Sequence, residues 1–190
     1  MLPFYNTPDF TPVFVDNELE ISRKVPHIIG AFQFLNQNNE QVSQQMIEGR
    51  IHVANFFFTS CPSICPKMTN QMKKIQEAFH DREQVLLLSY SVTPWIDTPA
   101  HLKEYAQQKG VISGKWHLLT GPKGEIYDLA RKSYFAEENI GYTKDSTQFL
   151  HTEHLLLVDK SKRIRGLYNG TLELVIQQLI KDIETLNAEK

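Results

Sequence analysis

Two cysteines, Cys61 and Cys65, stand four residues apart in the run C-P-S-I-C-P, and the chain has no others. A thiolate is both the nucleophile of disulfide exchange and a ligand for soft metals, so the pair supports two chemistries. Thiol–disulfide exchange usually separates its cysteines by two residues. Three intervene here, which still permits a bridge, since Cα separations of about 4.4–6.8 Å suffice. As metal ligands, two thiolates favour Cu(I) or Zn(II). They leave the site incomplete, and a third ligand has to come from elsewhere in the chain. The alternative is two buried cysteines that fall together by chance, because free cysteine is among the most buried residue types.

Several elements must position this pair. Residues 51–58 (IHVANFFF) are apolar, aromatic and β-branched, the pattern of a buried strand, and they run directly into Thr59, Ser60 and Cys61. After Pro66, the residues Met68, Met72, Ile75 and Phe79 follow spacings of 4, 3 and 4, the stripe of an amphipathic helix. The cysteines therefore sit where a strand ends and a helix begins. Sites in α/β sheets gather at that end of the strands, and the helix N-terminus stabilises a thiolate. Pro66 costs nothing in a first helical turn, where its missing N–H has no helical partner.

Further strands are predicted over residues 85–90, 116–119, 155–158 and 163–168. A helix opens after Asp97-Thr98-Pro99 and stops at Gly110, another covers residues 124–132, and a last one carries Leu172, Val175, Leu179, Ile183 and Leu186 on one face. A hairpin is expected earlier, where Phe32 and Phe34 alternate with polar or small neighbours before the turn residues of N-Q-N-N-E. Residues 1–26, with Pro3, Pro8, Pro12 and Pro26, lack helical periodicity and read as an extended N-terminal arm. The alternation predicts an α/β fold, with one domain over residues 27–190.

Histidine is the natural third ligand, and there are seven: His27, His52, His80, His101, His117, His151 and His154. His52 lies several residues back from the cysteine end of its strand. His80 and His101 fall at or near helix ends, and His27 follows the arm. His151 and His154 precede the strand at 155–158; three apart, they would face opposite sides of an extended strand, so at most one meets the cysteines. Periodicity does not say which.

Charge narrows the classes. The 20 Lys+Arg and 22 Asp+Glu leave a net charge of -2. A nucleic-acid binder would instead show a domain pI above about 9 and clustered basic residues. No run approaches the roughly 18 apolar residues of a membrane span, so the sequence reads as a soluble chain or the soluble part of an anchored one.

The residues F-F-F-T-S-C-P-S-I-C-P-K-M, from Phe56 to Met68, resemble the metal-binding loop of the Sco/SenC family. Those are thioredoxin-fold copper proteins that help assemble the copper centre of cytochrome c oxidase. Three further blocks match in order. Residues 91–99 (SVTPWIDTP) resemble the family's S-V-D-P-x-x-D-T-P, and residues 116–131 resemble its next strand and helix. His151 stands eight residues before Asp159, where the family places its metal-binding histidine.

The resemblance implies a thioredoxin-like fold with an N-terminal hairpin extension. It also implies copper, as Cu(I) or Cu(II), held by Cys61, Cys65 and His151. The function it implies is a metallochaperone that delivers copper to the oxidase's copper-centre subunit, with other copper chaperones or thioredoxin-like reductants as further partners. The runner-up is a thiol–disulfide oxidoreductase that keeps the oxidase cysteines reduced, with Cys61 attacking and Cys65 resolving. A peroxide-reducing enzyme is a third reading, and it would use a lone activated cysteine. Family members carry an N-terminal membrane anchor and work outside the cytoplasm, so the implied location is the periplasmic side of the inner membrane. This chain shows no such anchor.

Two departures from the family pattern bear on the site. Thr93 replaces the first Asp of the S-V-D-P block, and Trp95-Ile96 replaces charged residues. Asp97 is retained, either to cap the following helix or to touch a partner. Trp95 and Ile96 either pack in the core or form an exposed docking patch.

Overall fold

The computed structural model describes residues 1–15, 17–136, 150 and 152–189. Its centre is two parallel strands, β5 (Ile51–Phe57) and β6 (Val85–Ser91), buried along their whole length. They pair from Ile51 opposite Val85 to Phe57 opposite Ser91. A strand covered on both faces reads as a continuous apolar run rather than an alternating one, which is why both segments are legible in the sequence. β7 (Trp116–Leu119) adds in parallel beside β6. On the other side, β8 (His154–Val158) pairs antiparallel with β5 and with β9 (Ile164–Asn169).

Helices α2 (Ile64–Ala78), α3 (Pro99–Lys109) and α5 (Glu173–Ala188) cover one face of the sheet. The predicted stripe of α2 packs there: Met68, Met72 and Ile75 are essentially inaccessible to solvent, each burial contributing about 1.5–3 kcal/mol. Gly110 ends α3 in the left-handed region at φ 72°, which costs glycine nothing. The other face is covered by α4 (Lys123–Asp128), which continues into a wide turn over Leu129–Ser133, and by the hairpin of β3 (Gln33–Leu35) and β4 (Gln41–Ser43). Within that hairpin the Gln37 side chain acts as a short strand. Its amide donates to Trp116 O at 2.9 Å and accepts from Leu118 N at 2.9 Å, closing the free edge of β7.

The N-terminal residues differ from the expected extended arm. β1 (Phe4–Tyr5) and β2 (Pro12–Val13) form a short hairpin that joins the main sheet, giving the order β2-β1-β9-β8-β5-β6-β7. The buried Arg165 holds it by donating to the carbonyls of Leu2 and Pro3 and lies over the Phe4 ring. A helix follows, α1 (Glu18–Lys24), started by Asn17, whose side chain accepts from Leu19 N at 3.0 Å. Seven residues with Leu19 exposed offer no apolar stripe, so periodicity could not reveal this helix; the capping asparagine could.

Candidate metal centre

The site grows from the carboxyl ends of β5 and β6. After β5 the chain turns at Phe58, whose carbonyl accepts from Cys61 N at 3.3 Å. α2 starts at Ile64, earlier than Pro66 suggested, so Cys65 is itself in the first helical turn. Its N–H donates to Cys61 Sγ at 3.4 Å, and both thiols are free and buried. A free helical N–H that would otherwise lack a partner is thus spent on sulfur.

The two sulfurs have opposite proton affinities. Burial raises the Cys61 thiol, but the N–H groups of Cys65, Ser63 and Ile64 and the Cys65 thiol outweigh it, holding Cys61 below the ordinary thiol range. Cys65 is pushed up to about 12, first by burial, then by the adjacent Cys61 and the Asp97 charge, with a Phe58 N–H bond opposing. Cys61 is therefore the readier thiolate and Cys65 the proton carrier. A soft cation would displace the Cys65 proton on binding, while a disulfide substrate would meet Cys61 as nucleophile.

Asp97 lies beside this loop, and its role differs from the expected helix cap. Thr98 caps α3, its hydroxyl accepting from His101 N at 3.3 Å. The Asp97 carboxylate is fully buried and accepts from Thr59 N at 3.3 Å, from the Thr59 hydroxyl, from Ser91 Oγ at 2.6 Å and from Thr93 Oγ1 at 3.0 Å. Thr93, which replaces a family aspartate, is thus a donor to the retained one. His101 Nε2 lies 3.0 Å from Thr59 Oγ1 and 3.9 Å from Asp97 Oδ1. Sequence reasoning missed Thr59 and Ser91 and placed His101 only near a helix end, because the pairing of β5 with β6 is what brings residue 59 to the turn of residues 91–97.

Trp95 and Ile96, left open between core and surface, are exposed, at 57% and 44%. They stand in the same turn as Asp97, exposed where Asp97 is buried. Lys123 Nζ lies 5.1 Å from the centre of the Trp95 ring.

Six of the seven histidines lie among the described residues. His52 is buried on the sheet face opposite the cysteines and meets the Tyr134 hydroxyl at 3.0 Å. His117 contacts Asn36, His27 bonds Ser133 O and stacks on Phe135, and His80 bonds the Glu77 carbonyl. His154 opens β8, and strand alternation puts it with Leu156 on the far face, whereas Leu155 and Leu157 join the cysteine-side core. His151 lies outside the described residues. Among the described residues, no group of three or more His, Cys, Asp or Glu is placed to hold a metal.

The chain is similar to known proteins over most of its length. The SCO1/SenC family matches residues 21–188. An SCO1 protein homolog of Bacillus subtilis is 29% identical over 173 residues, which cover 90% of this chain and 89% of the relative. A SCO1/SenC family lipoprotein of Bacillus anthracis has a TM-score of 0.73 at 28% identity, covering 85% of this chain and 95% of that one. BsSco, a member of the Sco family of cytochrome c oxidase assembly proteins with a disulfide switch, has a TM-score of 0.72 at 30% identity, covering 86% and 95%. Copper-bound ScoI of Bradyrhizobium japonicum has a TM-score of 0.66 at 26% identity, covering 84% and 99%. The thioredoxin-like α/β fold expected from the resemblance is the fold of these structures. From the parallel pair that carries the cysteine loop to the closing helix, the chain belongs to the SCO1/SenC family.

Proposed function

We propose that this chain binds one copper ion as cargo through Cys61, Cys65 and His151 and passes it to the copper-centre subunit of cytochrome c oxidase during assembly. The observation that carries this reading is the cysteine pair itself. Two free sulfurs, linked by the Cys65 N–H to Cys61 Sγ contact, meet at the carboxyl end of β5. Two sulfurs and one imidazole suit Cu(I) in a trigonal site, and Cu(II) with an added ligand.

His151 is the third ligand because the family places its metal-binding histidine at this position. Within β8, His154 shares a face with Leu156, on the side away from the cysteines. ScoI of Bradyrhizobium japonicum has been solved with copper bound, which supports copper over zinc. The exposed Trp95–Ile96 turn, which also carries the Asp97 bound to Thr59, offers a partner an apolar surface. The site of action is extracytoplasmic, in keeping with the lipoprotein relative.

A second reading draws on the unequal thiols. The Cys61 thiolate attacks a disulfide of the oxidase subunit and one partner sulfur leaves as thiolate. Cys65 loses its proton and attacks the mixed disulfide, releasing the second partner sulfur. The partner gains two electrons and Cys61–Cys65 ends as a disulfide. The same disulfide would remove both sulfur ligands, so the redox state would gate copper binding.

The experiment is a titration of the fully reduced protein with Cu(I) against a competing chelator, on the native sequence and on His151→Ala. One tightly held copper per chain, weakened at least tenfold by the substitution, is the expected result. Binding indifferent to His151 would favour the dithiol reading. Absence of binding would overturn copper carriage.

A further inference from the structure

We infer that Asp97, acting through Thr59, is a positioning residue that sets the geometry of the cysteine loop, with His101 extending this connection to the surface. The inference begins from cost. A carboxylate with no solvent exposure carries a desolvation penalty of several kcal/mol. Among the described residues Asp97 has no guanidinium or ammonium partner within 4.0 Å; the one basic side chain in range is His101, at 3.9 Å. The charge is held instead by four donors and by the N-terminal end of α3, which begins two residues later. These donors come from three stretches: Thr59 past the end of β5, Ser91 at the end of β6 and Thr93 in the turn beyond. Ser91 Oγ also accepts from Thr93 N at 3.1 Å, so the turn carrying Asp97 is itself fixed to β6.

The consequence falls on the cysteines. Thr59 gives Asp97 both its N–H and its hydroxyl, and Cys61 is two residues on, with its own N–H bound to Phe58 O. The loop is thereby held at residues 58 and 59, immediately before the first sulfur. Thr59 has one hydroxyl proton, and the shorter of its two contacts is to Asp97, so its oxygen accepts from His101 Nε2–H. The connection runs His101 to Thr59 to Asp97, from a half-exposed imidazole to a sealed carboxylate. Groups that orient metal ligands from outside the coordination sphere typically change metal affinity by about 10–100-fold when removed.

The copper half of this inference rests on the proposed function; the redox half does not. The test measures two quantities on each variant: Cu(I) affinity by chelator competition, and the midpoint potential of the Cys61–Cys65 couple in glutathione buffers. Thr59→Val removes the hydroxyl and should weaken copper at least tenfold. It should also shift the dithiol equilibrium at least tenfold, about 30 mV for a two-electron couple. Thr59→Ser should restore both, and Asp97→Asn should act as Thr59→Val does. Thr98→Ala removes the α3 cap but none of the Asp97 contacts, so it should lower thermal stability and leave the potential in place. A folded Thr59→Val with native affinity and potential would overturn the inference, as would a Thr98→Ala shift equal to that of Thr59→Val. If Asp97→Asn does not fold, the threonine pair decides. If the native protein binds no copper, the copper reading fails while the potentials still decide the positioning role.

Discussion

Two buried polar clusters lie on opposite sides of the same sheet, and they are built on opposite principles. On the cysteine side, one carboxylate is met by four donors, and the network reaches a half-exposed histidine. On the far side, His52 Nε2 meets the Tyr134 hydroxyl, and that hydroxyl meets Tyr90, each at 3.0 Å. His52, Tyr134 and Tyr90 together carry three donor protons for two contacts. One proton is left over in every arrangement of tautomer and rotor, and His52 Nδ1 has no partner. The first cluster is charged, saturated and connected to the surface; the second is neutral, one bond short and sealed among Phe56 and its aromatic neighbours. A buried charge persists only when donors satisfy it, and those donors fix the stretches of chain that carry them. A neutral cluster with a leftover proton is tolerated where packing alone is required.

The largest expected effect is acid sensitivity from the far side. Burial lowers the His52 pKa to about 3, so His52 is neutral in the native state. The unfolded chain binds that proton below about pH 6.5. Its contribution is fully present above pH 6.5 and is lost as the pH falls toward 3, at about 1.4 kcal/mol per pH unit. Urea unfolding at pH 6.5, 5.5 and 4.5 should show this slope, and His52→Gln should flatten it. An equal slope in the variant would move the acid sensitivity elsewhere.

The second effect belongs to the cysteine side. Cys61 is lowered and Cys65 is raised, so alkylation near pH 8 should modify Cys61 first. Cys65→Ser should retain a fast-reacting thiol, and Cys61→Ser should leave one slower by on the order of 100-fold. Equal rates would erase the asymmetry on which the attacking and resolving roles depend.

The two smaller effects set the clusters against each other. Ser91→Ala removes one donor from a saturated carboxylate and should cost about 1.5–3 kcal/mol in chemical denaturation. Tyr90→Phe removes one proton and one neutral contact, leaves the surplus of one unchanged, and should cost about 0.5–1.5 kcal/mol. Similar losses in both variants would show that the clusters do not differ in satisfaction.

Much of this architecture was legible in the chain. β5, β6 and α2 follow from apolar runs and a helical stripe, and the hairpin from its turn residues. The cysteine pair at a strand–helix junction pointed to the site directly. What stayed hidden was of two kinds. α1 is too short to show a periodicity, and the edge hairpin of β1 and β2 exists because Arg165, some 160 positions away, binds its carbonyls. Thr59 meets Asp97 and His101 across 38 and 42 positions, and no local spacing encodes that meeting.

By itself the sequence determined that two sulfurs share one turn, at the end of a strand and the start of a helix, because such patterns are local and depend on residue type and period. Tertiary structure supplied the burial and hydrogen bonds behind the Cys61-first order already read from the loop, and it alone decided that Asp97 holds the loop rather than capping α3, that Trp95 and Ile96 are exposed, and that His154 faces away from the cysteines. Each of these depends on burial, on strand register or on a partner far along the chain, and those are set only when the sheet closes.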